Sequence, residues 1–170
     1  MPDCRIVFPT HNNYQRKPDS STGICMGASA YWCREAKFGR FISNPHMAGK
    51  PLQQSKDLTC GFCDDQSGAI VLRLKKLLYS AGIDAVSTVT QTSAEAVVGH
   101  IRDHPGIYLF IGGTHVMGAS SLPLRQYLFD NENGLYSCDD PTALYALVKK
   151  LRRDEWGLTG QYGWYAVKCV

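Results

Sequence analysis

The chain has 170 residues, 44% of them hydrophobic and 19% charged, with a formal net charge of +3 at pH 7. That length suits one domain with a core of its own, and a mild charge dispersed outside Lys149-Lys150 and Arg152-Arg153 points to no nucleic-acid partner and no membrane surface. No apolar run approaches the roughly 18 residues of a membrane span, and Met1-Pro2-Asp3-Cys4 lacks the apolar segment of a secretory signal, so classical export is not expected.

In chain order, Arg5 to Phe8 has the composition of a short strand, and Pro9 to Thr22 is irregular and polar. The first helix is expected from Gly23 to Ala36, with Ala28, Trp32 and Ala36 at helical spacing and facing inward. Gly39 to Thr59 carries Gly, Pro, Asn and Ser without periodicity and reads as a long loop or lid. Ser67 to Ala81 is the clearest amphipathic helix: Ile70, Val71, Leu74, Leu77, Leu78 and Ala81 line one face, Arg73, Lys75 and Lys76 the other, and Gly82 closes it. Ile83 to Thr90 is a candidate strand. Thr92-Ser93-Ala94-Glu95 has capping-box spacing and opens a helix through Ile101, with His100 and His104 placed to interact with the negative end of its dipole.

Beyond Pro105-Gly106 the pattern changes. Ile107 to Ile111 is a continuous apolar run of central-strand type, broken by Gly112-Gly113 before a strand that His115 opens. Arg125 to Phe129 reads as the next strand, ended by the turn Asp130-Asn131-Glu132-Asn133-Gly134. Asp140-Pro141 supplies the N-cap and first residue of a helix to about Arg152, with Leu144, Leu147, Val148 and Leu151 inward. Tyr162 to Val170 reads as a closing strand. Helices first and an antiparallel sheet after is an α+β pattern in a single domain over residues 1 to 170.

Seven cysteines stand at positions 4, 25, 33, 60, 63, 138 and 169. The odd number leaves at least one thiol free beside up to three disulfides. Cys60-Gly61-Phe62-Cys63 has the spacing of half a zinc site, but no second CxxC accompanies it, so neither metal nor cofactor is expected.

Cys25 differs from the others in its setting, because it opens the first helix. Unpaired N–H groups and the positive end of the macrodipole favour its thiolate. Thiol catalysis also needs an imidazole, a group to orient that imidazole, and oxyanion donors. His115 and Asp130 lie on consecutive antiparallel strands, where facing residues come within about 5 Å. A sheet bearing them and packed against the Cys25 helix would make a Cys-His-Asp triad. Taken alone, each residue has a plainer reading: a small buried thiol, a satisfied core histidine, and a turn aspartate bonding its own backbone.

Gly23-Ile24-Cys25-Met26-Gly27-Ala28-Ser29 followed by Trp32, then Gly112-Gly113-Thr114-His115, then Phe129-Asp130-Asn131-Glu132-Asn133-Gly134, resembles the YopT/AvrPphB-like papain-fold cysteine proteases, a family of bacterial effectors delivered into host cells. The resemblance spans about Gln15 to Gly134 and implies a papain-like fold with Cys25 as nucleophile, His115 as general base and Asp130 as its orienting group. Gln15 is the oxyanion candidate beside the Cys25 N–H, with Asn12 and Asn13 behind it. Ala28 stands where the family has leucine, and Asn131-Glu132 where it has Pro-Asn. The implied function is cleavage of a peptide or amide bond through a thioester, on a protein or peptide substrate. Implied also are a specialised bacterial secretion route, with cytoplasmic residence as the alternative, and an immunity protein or chaperone as partner.

The same triad serves peptidoglycan amidases and endopeptidases, and transglutaminase or deamidase toxins; the acceptor, water or amine, decides which. Disulfides would favour action on the oxidising side of the cell envelope, and reduced thiols a cytosolic target. A binding module with an inactive cleft is the non-enzymatic alternative.

Overall fold

The computed structural model describes residues 3–10, 25–42, 67–91, 93–112, 115–154 and 164–169. Among them are four helices, α1 (Cys25–Lys37), α2 (Ser67–Ser80), α3 (Ala94–Asp103) and α4 (Pro141–Asp154). The seven strands are β1 (Cys4–Phe8), β2 (Ser87–Gln91), β3 (Ile107–Gly112), β4 (His115–Leu122), β5 (Arg125–Asp130), β6 (Gly134–Cys138) and β7 (Trp164–Lys168). They form one sheet in the order β1-β6-β5-β4-β3-β7-β2, antiparallel at each pairing.

Alternation along the central strands divides the core in two. Leu109, Ile111, Val116, Phe129 and Val167 join Trp32 of α1 and Leu74, Leu77 and Leu78 of α2 in one cluster. Their strand neighbours Tyr108, Phe110, Met117, Leu128 and Ala166 join Val97 and Ile101 of α3 and Leu144 and Val148 of α4 in the other. Helices therefore cover both faces of the sheet. The expected order of helices and then sheet is corrected in two respects, because β1 precedes the first helix and α3 and α4 come from the second half of the chain. Burial on both faces explains why β3 is apolar at every position from Ile107 to Ile111.

Three local expectations shift. The strand expected at Ile83 begins at Ser87, because Ile83 closes α2: its N–H bonds Leu78 O at 3.0 Å while that of Gly82, at φ +82°, bonds Tyr79 O at 2.9 Å. This pairing is a Schellman motif, with Ile83 buried as its apolar member. The cap of α3 is Ser93, whose Oγ accepts from Ala96 N at 3.1 Å, so Glu95 falls one position short of a capping box. The strand at Trp164 does not close the sheet but lies between β3 and β2. His104 caps α3, with its ring Nδ1 3.0 Å from His100 O. The rings stack at 4.0 Å, and burial first, then His104, hold His100 below its ordinary pKa.

Of the cysteines, Cys4 and Cys138 form a disulfide between directly opposed residues of β1 and β6. Cys33 and Cys169 are free and buried. The Cys60–Cys63 pair and the expected lid beyond Ile42 lie outside the described residues. Among the described residues no helix is long and apolar enough to cross a membrane.

Candidate active site

The candidate site starts from a hairpin. β4 and β5 pair from Gly118↔Phe129 to Leu122↔Arg125, and continuing that register by one residue sets Asp130 opposite Met117. His115 is then a diagonal neighbour of Asp130 on the same face, rather than the facing partner expected. Diagonal pairs are about 7–8 Å apart at the backbone, a gap that a long ring can bridge. His115 Nε2 lies 2.8 Å from Asp130 Oδ1, with the histidine 7% exposed and the aspartate 0%. Each residue ends its strand, so the contact sits at the rim of the sheet.

Asp130 also organises the turn that follows. Its Oδ1 accepts from Glu132 N at 3.0 Å, its Oδ2 from Asn133 Nδ2 at 2.7 Å, and its carbonyl from Asn133 N at 3.2 Å. These are the local bonds a turn aspartate makes, and here they coexist with the histidine contact. Burial alone would raise the Asp130 pKa and is the largest single influence on it. The hydrogen bond and charge of His115, then Asn133 and the Glu132 N–H, together outweigh burial and hold the carboxyl below its ordinary range. A carboxylate ionised at neutral pH fixes the proton of the imidazole on Nε2 and leaves Nδ1 as the nitrogen that can accept one.

The helix that begins with Cys25 is docked on the same hairpin from the opposite face. Ser29 Oγ donates to Val116 O of β4 at 3.1 Å; beside it Cys33 Sγ donates to Tyr108 O of β3 at 3.4 Å, and Trp32 Nε1 to Phe41 O, just past the helix, at 3.0 Å. The Trp32 ring stacks on Phe129 at 6.1 Å and lies against Gly118, where an added Cβ would come within 2.5 Å of Trp32 Cε3. Trp32 is thus core, as its spacing predicts, and glycine at 118 is what admits the indole. From Ser29 to Trp32 the helix advances while its partners advance from Val116 to Gly118, so α1 and β4 run in the same direction.

Cys25 is the first residue of α1, and its side chain is not among those described. The oxyanion candidate Gln15, with Asn12 and Asn13, lies outside the described residues, as do Gly113 and Thr114. Among the described residues no three or more His, Cys, Asp or Glu cluster to hold a metal. Sequence reasoning missed Thr10, a buried residue whose Oγ lies 3.1 Å from Asp130 O and 2.8 Å from Asn131 O. A lone threonine 120 residues from its partner leaves no signal in the sequence.

No protein-family model and no curated protein sequence matches this chain. Among solved structures it is similar to the Pseudomonas avirulence protein AvrPphB, with a TM-score of 0.65 and 16% identity over 98% of this chain and 94% of that one. It is also similar to PatoxP, a cysteine protease-like domain of the Photorhabdus asymbiotica toxin PaTox, with a TM-score of 0.54 and 13% identity over 96% of this chain and 53% of that one. At these identities the likeness is one of fold, and the fold is of the YopT/AvrPphB-like type.

Proposed function

We propose that this chain is a cysteine peptidase or amidohydrolase in which Cys25, His115 and Asp130 form the triad. The observation that carries the reading is the buried 2.8 Å contact between His115 Nε2 and Asp130 Oδ1 at the rim of the sheet. The register of α1 supports the third member. Cys25 precedes Ser29 by one helical turn, about 6 Å of rise, while one strand residue advances about 3.3 Å. Stepping back one turn from Ser29 opposite Val116, about two strand residues, therefore brings the start of α1 to the His115 end of β4. α1 and the His115–Asp130 contact belong to opposite faces, so the thiol and imidazole would meet around the end of the sheet.

In this mechanism His115 Nδ1 takes the Cys25 thiol proton and the Sγ attacks an amide carbonyl. The oxyanion is held by the Cys25 N–H and Gln15. The C–N bond breaks as His115 returns the proton to the leaving amine. Water then attacks the thioester, giving its proton to His115, and the acid leaves as the C–S bond breaks and the thiol is re-formed. Asp130 keeps the proton on Nε2 and stabilises the imidazolium. The likeness in fold to an avirulence protein and to a toxin domain supports a secreted effector or toxin as its setting.

A second reading draws on the Cys4–Cys138 disulfide. Disulfides persist in oxidising compartments, which favours a substrate amide on the envelope side of a target cell, as in peptidoglycan, over a cytosolic protein.

The test is the pH dependence of Cys25 alkylation by iodoacetamide, followed by mass spectrometry in the wild type and in His115→Ala. The expected result is fast reaction well below pH 8.5 that requires His115; slow reaction rising only near pH 8.5 in both proteins would overturn the triad. Cys25→Ala is expected to abolish turnover of any amide substrate found.

A further inference from the structure

We infer that Thr10, two residues past the N-terminal strand, is a positioning residue that holds Asp130 in its orientation toward His115; its catalytic meaning rests on the triad proposed above. Thr10 is 5% exposed, and its hydroxyl lies 3.1 Å from Asp130 O and 2.8 Å from Asn131 O, shared between two consecutive carbonyls of the turn. Two adjacent carbonyls held by one donor fix the peptide between them. That peptide begins at the α-carbon from which the Asp130 carboxylate projects. The bonds within the turn link Asp130 to Glu132 and Asn133, which move with it, whereas Thr10 fastens the turn to the segment that follows β1.

The placement of Thr10 is itself built. The register of β1 against β6 shifts between Ile6↔Tyr136 and Phe8↔Leu135, a one-residue irregularity that reverses which face the following side chains take. Phe8 to Thr10 then press on Gly134, where a Cβ would stand 2.3 Å from Phe8 O and 2.9 Å from Pro9 Cα. Only glycine at that turn lets the strand end come so close. At its other end β1 is fastened by the Cys4–Cys138 disulfide and by Asp3 N on Asp139 Oδ2 at 3.1 Å. Burial contributes little to holding it, since Ile6 is 57% and Val7 37% exposed. β1 is a sparsely buried edge strand that is nonetheless anchored at both ends, and its inner end delivers one hydroxyl to the Asp130 turn.

The experiment uses the full chain with Thr10→Val, which removes the hydroxyl and keeps the shape, and Thr10→Ser, which keeps the hydroxyl. Leu144→Ala in the far core serves as a control for destabilisation alone. Two readouts are taken: the titration of the His115 ring by NMR, and the pH profile of Cys25 alkylation. Thr10→Val is expected to move the His115 titration to lower pH, toward that of Asp130→Asn, and to slow alkylation at pH 6 about fivefold, the loss of one buried hydrogen bond. Thr10→Ser and Leu144→Ala are expected to keep the wild-type profiles.

Wild-type profiles in Thr10→Val, or a shift that Thr10→Ser fails to restore, would overturn the inference. Should Thr10→Val not fold, Thr10→Ser decides, because a retained hydroxyl must retain the profile. A His115 titration that follows Thr10, with alkylation indifferent to His115, would keep this inference and remove the protease reading. The reverse pattern would remove this inference alone.

Discussion

The two ends of the β4–β5 hairpin are made from the same pair of strands and differ in almost every physical respect. At the Leu122–Arg125 end the turn carries Leu124, fully exposed at 101% and held at φ +63°. That end has Ser120 Oγ on Arg125 O at 2.6 Å and a short contact from Gln126 Nε2 to Leu122 O, while Ser121 Oγ and Gln126 Oε1 are buried without a partner. At the other end Asp130 is wholly buried, and both its carboxylate oxygens and its carbonyl accept hydrogen bonds, one of them from Thr10, 120 residues away. The first end tolerates a strained backbone at Leu124; at the other, the Asp130 carboxylate is over-determined. Over-determination suits the orienting role proposed for Asp130, because a fixed acceptor orients an imidazole with no reorganisation at the moment of proton transfer.

The sharpest way to break the contrast is to empty its determined end. Asp130→Ala leaves His115, Asn133 and the Glu132 N–H without their acceptor and is expected to lower unfolding stability by about 3–5 kcal/mol, measured by urea denaturation. In the wild type, the depressed Asp130 pKa sets a sign. The stabilisation is complete above the unfolded-state value of about 3.9 and declines as pH falls from there toward the lower folded value. Stability measured between pH 6 and 2 should therefore fall below about pH 4, and this fall should be smaller in Asp130→Asn.

Next in size is the tether behind that end. The Cys4–Cys138 disulfide closes a separation of 134 residues, and the double variant Cys4→Ser, Cys138→Ser is expected to lose about 2–4 kcal/mol. Hydrogen exchange should rise along β1 and in the Asp130 turn while the Leu122–Arg125 turn stays at its wild-type rate.

Gly118→Ala acts midway between the two ends. The added Cβ would meet Trp32 Cε3 at 2.5 Å, so the cost should be about 1–3 kcal/mol by calorimetry. It would also lift α1 from β4 and slow Cys25 alkylation; an unchanged rate would count against the proposed approach of the start of α1 to His115.

The smallest effect belongs to the loose end. Leu124→Gly relieves a positive φ on a branched side chain and should stabilise the fold by up to about 1 kcal/mol, with Cys25 alkylation unaltered. A loss of stability there would mean that the two ends are less different than their hydrogen bonds indicate.

Much of this contrast was legible before the fold. The Asp130-to-Gly134 turn, the strand opened by His115 and the helix begun near Cys25 are all local patterns, set by hydrogen bonding and periodicity within a few residues. The amphipathic stripes of α2 and α4 placed Leu74, Leu77, Leu78, Leu144 and Val148 in the core for the same reason. Boundaries moved where a neighbouring cap claimed a residue, as at Ile83 and Ser93. β6 escaped notice because five residues after a strong turn carry too little alternation to separate strand from loop.

By itself, then, the sequence determined every described element but β6, the inward faces of the helices, and which residue types end the two strands of the hairpin. Only the tertiary structure decided that His115 and Asp130 meet diagonally at 2.8 Å, that β1 pairs with β6 through Cys4 and Cys138, and that Thr10 fastens the turn. Short-range structure follows from the geometry of a few consecutive peptides. A contact across 120 residues depends on which sheet edges come together once both apolar faces are buried, and no local pattern encodes that.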